Sequence, residues 1–257
     1  MENAVQSSRN QCLDFLKGIA CILVLFIHSS FPGVLGEAVQ SNARFCMPFF
    51  FMVSGYFAYH IRGEKDKERR LSKIRHIGVI TASASLFYLL VAAAAGDLYM
   101  PGMKAWARFL LLNQPNVIAG QMWFLYAMLY VYLVWAIIDK FDWYRFVYIA
   151  AGVLFVCYLL LAQGAYFAGI SVPPVYYRNF LFLGIPGFFF GHWIHRNQER
   201  INISDRVLIW IAVISTVLCP VERLLMGRVF GVQLCSHFQV PCSFSQFKIL
   251  PLGEIES

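Results

Sequence analysis

Four ionisable residues, Asp14, Lys17, His28 and Arg44, stand in or beside the most apolar stretch of this chain. Residues 13–33 read LDFLKGIACILVLFIHSSFPG, and after a short polar link residues 42–57 read NARFCMPFFFMVSGYF. Ionisable groups in such company are expensive, so each needs a partner or a task. Lys17 and His28 are eleven steps apart. On an α-helix that is about 1,100°, three turns plus roughly 20°, and roughly 16 Å of rise. They therefore share one face at different depths, with Asp14 and Cys21 on the same stripe and Asp14 placed to pair with Lys17. A stripe of this kind can bind or conduct something polar. Taken alone, Lys17 serves equally well as a residue snorkelling to the headgroups. His28 alone reads as an interfacial histidine bonded to Ser29 or Ser30. Arg44, entering the next helix at nearly the same depth, makes packing a poor account of both.

The elements that must hold these groups are membrane helices. Hydrophobic residues make up 59% of the chain and charged ones 14%, and the mean hydropathy is +0.60, a membrane composition rather than that of a soluble domain. The formal charge of +7 reads as bias between loops, not as a nucleic-acid footprint. Apolar stretches predict about seven spans, at 12–31, 45–61, 77–96, 121–138, 146–165, 180–194 and 207–224. The first is an uncleaved anchor, because its short apolar core contains a histidine and lacks a small-x-small cleavage site. The connection RGEKDKERRLSKIRH, with seven Lys and Arg residues, goes to the cytoplasm by the positive-inside rule. Alternation then makes the N-terminus cytoplasmic and leaves the link before Arg44, residues 97–120 and residues 164–179 outside. Residues 103–113 suit a helix lying on the membrane surface, and Pro173, Pro174, Tyr176 and Tyr177 suit a loop ending in an aromatic belt. Residues 225–257 read as a polar tail or an incomplete eighth span.

Seven cysteines include no CxxC pair, so small buried thiols are expected, although Cys235 and Cys242 have a spacing that allows pairing on an oxidising face. His192 and His195 are three apart, a spacing that permits metal binding, but no third ligand is evident. Beside Trp193 they read as interfacial residues, and no metal site is expected.

Together these residues resemble the acyltransferase-3 family of bacterial membrane acyltransferases. Lys17 and His28 match its basic residue, ten residues and histidine in the first span, with lysine for the usual arginine. Arg44 and residues 48–57 match its arginine and PFFFxxSG[YF]. Residues 69–74, RRLSKI, are similar to its cytoplasmic RRxxRI, with Lys73 for an arginine, and MWFLYAMLYVYL at 122–133 is a weaker likeness. The resemblance covers residues 9–224 and implies an all-α, polytopic transmembrane bundle in a bacterial inner membrane. Members are usually longer, with about ten spans, which implies that this chain lacks the final ones.

The resemblance further implies an acyl-CoA donor, typically acetyl-CoA, used as substrate without a permanently bound cofactor, and a glycan or small-molecule acceptor. His28 would be the general base and Arg44 would stabilise the oxyanion or position a substrate anion. Lys17, Arg69, Arg70, Lys73 and Arg75 would hold the CoA phosphates, with Asp14 orienting Lys17 and Ser54 a hydroxyl contact. The basic run is also a stop-transfer signal in its own right, and Ser54 with Gly55 also suits close helix packing. Two rival expectations remain: a transport module similar to the membrane domain of vancomycin-resistance serine racemases, and an inactive, shortened relative. Nucleic acid is not an expected partner.

Overall fold

The computed structural model describes residues 11–29, 32–61, 63–98, 101–115, 118–200 and 204–226. Among them there is no strand. The helices are α1 (Gln11–His28), α2 (Gly33–Ala43), α3 (Cys46–Ala58), α4 (Lys67–Ala95), α5 (Met103–Leu112), α6 (Trp123–Phe141) and α7 (Tyr144–Leu159). After them come the single turn α8 (Ala165–Phe167), α9 (Ile185–Asn197) and α10 (Asp205–Met226). Among the described residues three helical stretches, Lys67–Ala95, Gly120–Phe141 and Tyr144–Gly164, are long and apolar enough to cross a membrane. The expected tail at 225–257, with Cys235 and Cys242, lies outside the described residues apart from the last turn of α10. Contacts divide the chain into two compact units, one holding α1, α2 and α10, the other running from Met47 to Arg200.

Two connections are more helical than hydropathy alone suggests. The polar link before Arg44 is itself a helix, α2. Its polar side chains turn onto their own backbone, Ser41 donating to the Glu37 carbonyl at 2.6 Å and Asn42 to that of Ala38 at 3.1 Å. Polarity therefore does not prevent a helix here. The basic run is also helical from Lys67 onward, so the helix that carries the third apolar stretch begins well before residue 77. KERRLSKIRH contains no Gly or Pro and is rich in helix formers, and Glu68 in the first turn suits the positive helix end.

Within the larger unit, α3 and α9 touch backbone to backbone. A Cβ on Gly55 would overlap the Phe188 carbonyl, and one on Gly191 would overlap that of Met52. Small residues are what allow such an approach between apolar helices. Around the contact Trp135, Phe51, Phe188 and Phe189 are fully buried.

The two ends of this unit are tied by polar groups. At the end carrying the basic run, Asp139 accepts from Arg70, from the Gly63 N–H and, at 2.7 Å, from the Tyr144 hydroxyl. At the opposite end Asn113, left-handed at φ 46°, accepts from the Phe180 N–H at 2.7 Å and donates to the Trp123 carbonyl at 3.0 Å. Asn179 caps the π-helical stretch Phe180–Gly184, accepting from the Leu181 and Phe182 N–H groups. A second π-helical stretch, Leu160–Gly164, follows α7.

Gly191→Ala should lower the thermal midpoint in detergent, by about 1–3 kcal/mol of stability or more, because the obstacle is backbone and cannot rotate away. Asp139→Ala strands the buried Arg70 and should cost about 3–5 kcal/mol. The pair Arg70→Met with Asp139→Leu should cost less than the sum of its single changes in the same melting experiment.

Candidate functional site

In the smaller unit, α1 carries Asp14, Lys17 and His28. Lys17 Nζ lies 3.4 Å from Asp14 Oδ1, and both side chains are about one-third exposed, at 32% and 34%. The pair therefore faces a partly open surface. His28 forms the last turn of α1 and is exposed. Helix C-termini leave their last carbonyls without intrahelical donors. Gln40 Nε2 supplies one of them, donating to the Ile27 carbonyl at 3.2 Å. Four residues further, one helical turn or roughly 6 Å along α2, Arg44 caps that helix with its N–H on the Asn42 and Ser41 carbonyls. The Gln40 contact thus docks the helix that leads to Arg44 against the end of the helix that carries His28. Gln40 was not singled out in the sequence, because an amide in a polar link carries no pattern.

The remaining sequence candidates lie in the larger unit. Ser54, half-buried on α3, hydrogen-bonds the Tyr132 side chain. Arg70 faces inward, its guanidinium buried against Asp139 and the Gly63 carbonyl. Arg69 is 76% exposed and reaches Asp66 at 3.4 Å. Arg75 is exposed and Lys73 half-exposed on the same first turns of α4. These four candidates therefore divide into one internal guanidinium and three cations that are exposed or partly exposed.

His192 and His195 do not face outward. Both are buried, at 0% and 6% exposure. Tyr148 and His192 Nδ1 share a hydrogen bond of 2.7 Å, and Tyr144 stacks on the His192 ring at 4.8 Å. Tyr59 stacks on His195 at 4.9 Å, while His60 meets the same ring edge-on at 4.2 Å. Burial, and secondly the adjacent His60, push His195 down to about 4. Just past the apolar stretch 180–194, it is therefore a neutral ring near pH 7, and its buried Nδ1 has no hydrogen-bond partner among the described residues. The sequence signal for this cluster was available in the tyrosines at 56, 59, 144 and 148, all near helix ends, but their meeting is a tertiary fact.

No curated protein and no solved structure matches this chain. The model of the acyltransferase-3 family, described as an acyltransferase domain, matches residues 10–231, which include both units and the whole of the His28 and Arg44 segment. With most of its length matched and its helices apolar, this membrane protein belongs to the acyltransferase-3 family.

Proposed function

We propose that the chain transfers an acyl group, acetyl in the simplest case, from cytoplasmic acyl-CoA to a hydroxyl or amine of a cell-surface glycan or similar acceptor. The observation that supports this reading most is the docking of α2 on α1 through Gln40, which lies one helical turn before Arg44 and donates to the carbonyl of the residue before His28. His28 takes the acceptor proton as the oxygen or nitrogen attacks the thioester carbonyl. Arg44 faces the oxyanion that develops, where fixed positive charge in a water-poor site counts most. Collapse of that intermediate breaks the C–S bond, and the imidazolium returns its proton to the CoA sulfur. An imidazole suits both directions because one ring nitrogen can accept a proton and later return it.

Lys17, held by Asp14, lies toward the other end of the α1 stripe and contacts the CoA arm. Arg69, Lys73 and Arg75, all exposed or partly exposed, draw the anionic donor to this end of the protein by long-range attraction. Arg70 is assigned to the fold instead, since leaving Asp139 would strand a buried carboxylate. The membrane is the bacterial inner membrane, with the N-terminus in the cytoplasm.

Membrane vesicles carrying the protein should move label from acetyl-CoA to an acceptor fraction. His28→Ala should abolish transfer and Arg44→Ala should slow it by about 100-fold or more, each at unchanged protein level and thermal midpoint. Transfer that survives His28→Ala would remove the proposed base.

A further inference from the structure

The larger unit contains a cavity of about 360 Å³ whose walls none of the roles above explains. It lies at the end carrying the basic run. Tyr59 comes from the end of α3, Tyr148 from the start of α7, and Trp193 and Arg196 from the end of α9. Arg200, in the turn that follows, completes the group, with Asn197 and Glu199 beside it. The volume is at the small end of ligand sites, enough for a nucleotide head.

The chemistry of the walls is specific. Arg196 sits over the Tyr148 ring, 5.8 Å from its centroid, so its guanidinium is placed before any ligand arrives. Tyr148 in turn is held by its bond to His192, and Asn197 by donation to the Trp193 carbonyl at 2.8 Å. Arg196 and Arg200 are four residues apart, and planar guanidinium forks are suited to phosphate. Tyr59 and Trp193 offer ring surface, Tyr59 fixed against His195 and Trp193 parallel to Phe190 at 6.0 Å. Aromatic rings bind bases by stacking. Glu199 leaves the cavity with one net positive charge and supplies an acceptor for a base amino group or ribose hydroxyl. The buried, neutral His195 adds no charge. The arginines also complement the negative end of α9, but that role calls for no aromatic walls and no cavity.

We propose that this cavity binds a nucleoside phosphate, with the phosphate on Arg196 and Arg200 and the base against Tyr59 and Trp193. The proposal rests on the acyl-CoA reading in one respect: the nucleotide end of that donor is the occupant.

Equilibrium binding of adenosine 3′,5′-bisphosphate to the purified full chain in nanodiscs tests it. Each arginine should contribute about tenfold, so the double variant Arg196→Ala with Arg200→Ala should bind about 100-fold more weakly. Trp193→Ala should weaken the bisphosphate about tenfold while leaving inorganic phosphate unaffected. Inorganic phosphate alone should bind wild type far more weakly than the bisphosphate does. All three substituted side chains are exposed, and a melting curve confirms that each variant folds. Equal binding by the double variant, or no binding by wild type, would overturn the proposal. The donor reading fails separately: arginine-dependent binding of the bisphosphate in a protein that does not consume labelled acetyl-CoA would uphold the cavity assignment and remove the donor.

Discussion

Asp139 is the carboxylate on which the basic end of the larger unit depends. It joins the α3–α4 connection through Gly63, α4 through Arg70 and the start of α7 through Tyr144, from its own place near the end of α6. A buried pair of this kind gains little over an apolar contact of the same volume, because desolvation offsets most of the attraction. Its value lies in what happens when the arrangement is wrong. A slipped helix leaves a charge with no partner in a medium that cannot hydrate it. The neighbouring ring cluster, including Tyr148 and His192, packs against Tyr144, so its placement follows from the same carboxylate.

The backbone contact of α3 with α9 is the complementary constraint. Where no water drives helices together, close approach and polar bonds must do it. Gly55 and Gly191 bring the backbones together at the middle of these helices, and the tyrosine and histidine side chains beyond them close the end. The cavity proposed for a nucleotide is a by-product of this geometry: helices drawn tight at their glycines leave bulky rings to spread at the rim.

The helices were legible in the sequence because their apolar runs are long. The stretches 121–138, 146–165 and 207–224 match α6, α7 and α10 to within a few residues at most boundaries, apart from the π-helical end of the second. The motif residues of 13–57 were legible too, as ionisable groups out of place in apolar surroundings. Hidden from that reading were features that depend on partners. Nothing local separates Arg70 from Arg69, since only contact with Asp139 turns one inward and leaves the other exposed. The helix α2 escaped notice because hydropathy measures side chains, whereas Ser41 and Asn42 satisfy themselves on the helix backbone. The burial of His192 and His195 is hidden from the sequence for a similar reason. Polar rings near a helix end suggest an interface until the tyrosines that cover them are seen.

The π-helical stretches at the far end change how α7 and α9 are counted. A π-bulge accommodates an extra residue without an extra turn of ordinary helix, so side chains beyond it are set about 100° out of phase with the regular repeat. Leu160–Gly164 follows α7 and Phe180–Gly184 precedes α9, and the two helices are neighbours. Their frames are therefore offset at the same end of the unit. A face drawn on a helical wheel through residues 144–164 or 180–197 with one continuous period would misassign the residues across the bulge, and positional comparison with a relative needs a one-residue gap wherever that relative keeps a plain helix.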